Sequence, residues 1–398
     1  MKLAKKTKLV IAAAAALTLS LTGAATAANM TFVVGGASSV ASIIGDCKVA
    51  YSKANGDDSF AYASSSSGQG QKDMESGKND FSFSDSPHLT SQSGKPVPSN
   101  EIHVPTFVWP IAIEYKDFLS GKPLALSTKT VAGIFAGKIT KWNDPAIVVD
   151  NNKTIETPVF KTQVVTDKKT KKKTTVTVKD KNGKPIVASI KKTTVAITLP
   201  NVAITVWYRS DKSGSTGVFT NYISTVAPTV WSKAGSAGNQ TFTSAFPGDI
   251  PAGTFQGASG SDGVANGIAT KDGSIGYGET SYATERKLNV ANIKNGAGEY
   301  VGPTADGTAA FLNDFAPGAK GTVTVNVLSK ASGAYPIASF SYGLAYAAGK
   351  DAEKQKAVKE FMTFVLGDCA AKYAVSKGYS PVTGRLADIA KASINDIG

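Results

Sequence analysis

The sequence predicts an α/β fold. Three times, a short β-branched or aromatic run passes into a serine- and glycine-rich turn and then into residues at helical spacing. Two apolar runs, 102–115 and 335–346, read as candidate crossings between domains. The 398 residues are enough for two or three domains.

The best-defined unit is 204–222, ITVWYRSDKSGSTGVFTNY. Residues 204–208 are strand-forming, and Arg209 ends the strand. Residues 210–214 make a polar turn, and from Ser215 the spacing of Val218, Phe219 and Tyr222 predicts a helix. A helix start leaves backbone N–H groups without partners at the positive end of the helix dipole, which suits an anion. Arg209 adds a planar, permanently charged donor fork, and Asp211 is placed to hold it. The alternative is an ordinary serine-capped helix after an edge strand.

In chain order, residues 1–27 read as a secretory signal peptide. Lys2, Lys5, Lys6 and Lys8 precede an apolar run at 9–21, and Ala25-Thr26-Ala27 is a small-x-small cleavage site. No cysteine stands directly after that point, so no lipid anchor at the new N-terminus is evident, and no later run is apolar enough to span a membrane. The chain is expected to be exported, to a periplasm or to the extracellular cell wall.

Residues 32–34 form a strand, GGASS at 35–39 is a turn, and a helix follows with Ile43, Ile44 and Cys47 inward. Residues 60–62 lead into a second such turn, the serines 64–67 with Gly68 and Gly70, before a short helix through Met74. These turns supply hydroxyls and amides without bulk. NDFSFS at 79–84 is a strand, and Asp85 stands just past its end, where open α/β sheets place ligand contacts. A carboxylate beside an anion is consistent if the anion carries a proton: a protonated phosphate oxygen can donate to Asp85, and sulfate cannot. The alternative is an Asp that caps the turn before Pro87.

The run 102–115 is broken by Pro105 and Pro110. Residues 126–136 form a helix after the cap candidates Ser127 and Thr128, ended by Gly137. Residues 152–192 are rich in lysine and threonine. Asn182-Gly183, flanked by 175–178 and 186–187, signals a hairpin turn. A basic, exposed hairpin or a partly disordered loop is expected, favoured as a solvated insertion over a holder of wall polymers or a membrane surface. Residues 228–260 read as loop, 263–269 as a short helix, 274–277 as a strand and 311–318 as a helix with its end. Asp351 caps a helix whose apolar face is Ala357, Val358, Phe361, Phe364 and Val365, and Gly367 ends it.

The formal charge of +13 favours anionic partners, although most surface lysines read as solubility charge. Cys47 and Cys369 can pair in an oxidising compartment or stay as two buried thiols. A disulfide closing so long a loop is worth roughly 5 kcal/mol in the chain-entropy model.

Other chemistry lacks support. His88 and His103 are the only histidines, and no Cys/His spacing suits zinc. GIFAGKI at 133–139 fails the phosphate-loop pattern at its last position. No serine has an evident base partner, and the lysine tract lacks the interleaved aromatics of a nucleic-acid site.

The motifs together resemble the phosphate-binding receptor of the bacterial ABC-type phosphate importer. They are GGASS at 35–39, YASSSSGQGQK at 62–72, NDFSFSDSP at 79–87, AGIFAGKITKWNDPAI at 132–147, YRSDKSGSTGVFTNY at 208–222 and GSDGVANGIATKDGSIGYGETSYA at 260–283. The resemblance implies a two-lobed periplasmic-binding-protein fold of type II, with two discontinuous α/β domains joined by two crossover strands. Lobe I would comprise 28–107 and 335–398; lobe II would comprise 108–334, with the basic insertion at about 153–196. Phosphate would sit in the cleft, bound by Ser38, Ser39, Ser67, Asp85, Arg209, Ser213, Gly214 and Ser215, with Asp211 behind Arg209. No cofactor, metal or catalysis is implied, and the partners would be inorganic phosphate and an ABC permease, with the receptor a monomer. Two departures stand out: the family's Ala-Thr-Phe-Pro turn is here Ala37-Ser38-Ser39-Val40, which loses an aromatic from the cleft wall, and Lys212 replaces a small residue at the rim. The competing functions are a phosphate-ester hydrolase and a basic wall-binding or adhesion protein.

Overall fold

β1 (Thr31–Gly36) lies between two parallel neighbours, β2 (Ser59–Ser64) and β3 (Phe81–Ser84). The computed structural model describes residues 31–398 apart from 56–58, 91–94, 120, 153, 167–170, 195–196, 236–237 and 350; the expected signal peptide lies outside them. After β1 a short 3-10 turn, Ser38–Val40, opens α1 (Ala41–Asn55), which buries Ile43, Ile44 and Cys47. α2 (Ser67–Glu75) starts earlier than its glycines suggest, with Ser66 as cap accepting from the Gln69 N–H at 3.1 Å. Gly70 is inside the helix, and a Cβ there would stand 2.8 Å from the Gly36 Cα. That glycine therefore serves close packing of α2 on β1 rather than a turn.

β4 (Glu101–Tyr115) is one unbroken strand, buried at every position. Neither proline breaks it. The register against the returning strand shifts at Ser341/Tyr342, opposite Pro105; Thr106 is the extra residue and donates to the Ser341 carbonyl at 2.8 Å. A bulge thus absorbs the missing proline N–H.

The second half of the sheet is β5 (Thr205–Arg209), β6 (Phe255–Ala258) and β7 (Ser274–Glu279). β6 lies in the stretch that reads as loop in the sequence; its Phe255-Gln-Gly-Ala run is too short to show a period, and pairing to β5 makes it a strand. β8 (Ala338–Tyr346) returns antiparallel to β4. The sheet order is β6-β5-β7-β4-β8-β3-β1-β2. Two α/β halves are joined by two long strands, the expected two-lobed arrangement.

α3 (Gly214–Val226) follows β5, and α4 (Gly260–Thr270) follows β6. The helix expected at 311–318 instead spans Ala305–Leu312, capped by Thr304, and Phe315–Pro317 pairs with Val323–Val325. α5 (Ala352–Phe364) is capped by Asp351, as expected. Gly367 does not end it: a π segment, Val365–Cys369, carries the helix on to Tyr373, and the left-handed stop falls at Gly378 (φ 80°). Cys369 is joined to Cys47 in a disulfide, with a Cα–Cα distance of 5.3 Å. α6 (Gly384–Asn395) closes the chain against β4.

The described residues of the lysine-rich insertion form an arm of two ladders. Thr154–Phe160 pairs with Val187–Thr194, and beyond it Thr162–Thr166 pairs with Lys173–Thr177. The Asn182-Gly183 turn, with Gly183 at φ 79°, closes a short hairpin as expected: Lys179 bridges Pro185, the Asp180 amide donates to the Lys184 carbonyl at 2.8 Å and that of Ile186 to the Val178 carbonyl at 3.0 Å, while the ladder of Lys173–Thr177 is with Thr162–Thr166. Among the described residues, no helix is long and apolar enough to cross a membrane.

Candidate functional site

Four helix starts converge between the halves of the sheet. They are the Ser38–Val40 turn before α1, and the first turns of α2, α3 and α4. Each follows a parallel strand, so the strand ends and the helix amides point to one region.

Asp85 stands at its centre, 3% exposed. Ser39 donates to its Oδ1 at 2.5 Å and Ser341 to the same oxygen at 2.6 Å. Ser67 and Ser215 approach Oδ2 at 3.4 and 3.3 Å. The Asp85 amide donates to the Ser67 Oγ at 3.1 Å. These hydroxyls come from the α1 turn, β8, α2 and α3, so both halves meet on one carboxylate. Burial pushes the Asp85 carboxyl up, and the bonds from Ser341 and Ser39 and the charge of Arg209 pull partly back.

Arg209 ends β5 and is 2% exposed. Asp211 receives its Nε at 2.7 Å and Nη2 at 2.5 Å, and the Gly260 amide at 3.2 Å. Burial opposes the charge on both residues, but their mutual attraction wins: the Arg209 pKa is raised and that of Asp211 lowered. Nη1 donates to the Ser261 Oγ at 3.1 Å. Ser38 belongs to this side of the site, with its Oγ 3.3 Å from that of Ser261 and accepting the Ser261 amide at 3.4 Å.

Ser213 is turned differently. Its Oγ caps α3 by accepting the Thr216 N–H at 3.3 Å, the ordinary serine cap, and a hydroxyl that accepts in this way keeps its own proton to donate. Gly214 is where the halves come closest: a Cβ there would be 2.5 Å from the Ser67 Oγ and 2.8 Å from the Asp85 Cβ. The Lys212 stem lies over Gly68 of α2, and Gly68 donates to the Lys212 carbonyl at 3.1 Å. All eight residues expected at the cleft, with Asp211, thus fall within this region.

Several site residues escaped the sequence reading. Ser261 opens α4, Ser341 lies on the return strand, and Glu279 ends β7. Glu279 is 1% exposed and accepts from Ser215 at 3.0 Å. Burial, reinforced by Asp85, pushes its carboxyl up to about 7. A protonated Glu279 can donate to the Ser215 Oγ, which frees the serine proton for Asp85 or a guest. Its position as the last residue of a strand is close to the signal that marked Asp85, one residue past a strand's end. Three tyrosines grip the first turn: Tyr62 donates to the Ala37 carbonyl at 2.6 Å, Tyr282 to that of Ser38 at 2.9 Å, and Tyr379 to that of Ser39. These side chains fix a turn that lacks the family's aromatic and proline.

The chain is similar to known proteins over most of its length. A family described as PBP superfamily domain matches residues 22–368. Phosphate-binding protein PstS 2 of Mycobacterium tuberculosis is 30% identical over 321 residues, 77% of this chain and 71% of that protein. Phosphate-binding protein PstS of Xylella fastidiosa is 28% identical over 327 residues, 82% and 74% of the two chains. The solved structure of a high-affinity periplasmic phosphate-binding protein, PfluDING, bound with phosphate, shares the fold. Its TM-score is 0.61 at 21% identity, covering 91% of this chain and 93% of that one.

Proposed function

Because the chain belongs to the PBP superfamily, among relatives named phosphate-binding protein PstS, we propose that it is a phosphate receptor of an ABC importer. It captures hydrogen phosphate or dihydrogen phosphate between its lobes and delivers it to a membrane permease, and no bond is made or broken. The observation that carries this reading is Asp85, a buried carboxylate held by serine hydroxyls from both halves, beside a guanidinium locked by Asp211.

The hydroxyls of Ser38, Ser39, Ser67, Ser213 and Ser215 and the amides at the α3 start donate to phosphate oxygens, and Arg209 supplies the charge. Asp85, ionised, accepts the proton that phosphate carries. Sulfate brings no proton, so it would set two unpaired negative charges against each other away from water. Calorimetric titration of phosphate-stripped protein with both anions tests the reading. Submicromolar-to-micromolar phosphate binding with no sulfate binding is expected. Comparable sulfate binding refutes the role of Asp85. An Asp85→Asn chain, able to donate as well as accept, should lose phosphate affinity and gain sulfate affinity. A phosphatase assay with Ser213→Ala as control separates a receptor from an ester hydrolase.

A further inference from the structure

Nearly all of the net charge of the chain outside its first 27 residues sits on one arm. Residues 154–194 hold eleven lysines against Glu156, Asp167 and Asp180, a net +8. Residues 1–27 hold four lysines and no acid, so of the formal +13 only +1 is left for the rest of the chain. This is no evenly spread solubility charge.

Nine of the eleven lysines are among the described residues, and a two-ladder ribbon carries them. Its two ladders are Thr154–Phe160 with Val187–Thr194, and Thr162–Thr166 with Lys173–Thr177. Every described lysine on it is exposed. Its two described acids are engaged locally: Glu156 pairs with Lys192 at 2.6 Å, and Asp180 accepts the Asn182 and Lys184 amides at 2.8 and 2.9 Å. The ribbon also exposes Val159, Val164, Val165, Val176, Ile186 and Ile190. These six are nearly half of the thirteen large aliphatic side chains exposed among the described residues. Where its two ladders meet, the arm touches the body: Thr177 donates to Asp306 at 3.3 Å, and Pro158 and Phe160 lie against Gly333.

We propose that this arm docks the protein on an anionic lipid surface. Exposed lysines attract acidic headgroups, and short aliphatic side chains settle into the interfacial layer. Nucleic acid is disfavoured because Phe160, set against Gly333 of the body, is the arm's one aromatic residue. With the body close to neutral, the arm gives the molecule a charge dipole that fixes which side faces the membrane. The inference is independent of the anion site.

The test is co-sedimentation of the chain from residue 28 with vesicles. One set is phosphatidylglycerol mixed with phosphatidylcholine, the other is phosphatidylcholine alone. Binding is expected only to the first and is lost at high salt. One lysine near such a surface is worth roughly fivefold in partitioning, so Lys171→Gln, Lys172→Gln and Lys173→Gln combined should weaken binding about a hundredfold. The same three positions as arginine should bind like the native chain. Phosphate titration of each variant reports that the body is folded. Equal binding to neutral vesicles, no binding to acidic ones, or retained binding by the glutamine variant overturns the proposal. So does binding to a soluble anionic polysaccharide in preference to the vesicles.

Discussion

Asp211 accepts both Nε and Nη2 of Arg209, two residues before it on the same turn. The pair is built locally, so the guanidinium is aimed before the lobes meet, and its Nη1 edge faces Ser261. Asp211→Asn keeps the shape and removes the charge. A charge-assisted hydrogen bond is worth roughly 1.5–3 kcal/mol, so phosphate binding should weaken about ten- to a hundredfold. Calorimetry on Asp211→Asn and Arg209→Ala checks this, with the larger loss in Arg209→Ala; unchanged affinity in both would remove Arg209 from the site.

Gly214 lets the start of α3 touch Ser67 and Asp85. In Gly214→Ala the new Cβ must push the halves apart at that point, because the Asp85 Cβ and amide lie within 3.0 Å of it. Phosphate affinity should fall at least tenfold while thermal stability changes little. Gly367→Ala is the control: its Cβ meets nothing within 4 Å inside a helical segment, so it should stabilise by about 0.5–1 kcal/mol and leave binding alone.

Glu279 makes stability depend on pH. Its carboxyl is raised from 4.5 to about 7, chiefly by burial. Between those values the folded chain holds a proton that the unfolded chain has released. Stability is therefore full below the lower value, falls as pH rises through the window, and is flat above it. The loss amounts to about 3 kcal/mol. Denaturant melts of native and Glu279→Gln protein at pH 4.5 and pH 8 measure it: the native curve should drop relative to the variant. Parallel curves would mean that Glu279 is not buried as an acid.

The Cys47–Cys369 bond ties α1 to the π segment after α5 across 322 residues of sequence. Its removal frees the unfolded chain of a long loop, at a cost of up to about 5 kcal/mol. A chain with Cys47→Ala and Cys369→Ala should show a lower Tm than the native protein; an unchanged Tm refutes the loop-entropy account.

Periodicity and turn chemistry were enough to find β5, the turn after it, and Asp85 past β3, because each is set by neighbours within a few residues. Elements defined by a partner were not legible. β6 is a strand because β5 pairs with it, and Gly70 marks a close contact with β1 rather than a turn. The prolines of β4 read as breaks, and only the register shift against β8 shows how the sheet absorbs Pro105. Ser341 and the three tyrosine hydroxyls gave no local signal, since their function is defined by Asp85 and by the carbonyls of residues 37–39, far away in the chain.

By itself, the sequence determined the chemistry this protein carries: serine-lined helix starts, an arginine with its own aspartate, and a lone acid after a strand. Each is a local arrangement, fixed by residues that follow one another. Tertiary structure alone decided that these pieces share one place, because convergence depends on two long strands folding the chain back on itself. It also decided the burial that makes Asp85 and Glu279 weaker acids than a free carboxyl, since desolvation depends on what packs around a group and not on what precedes it.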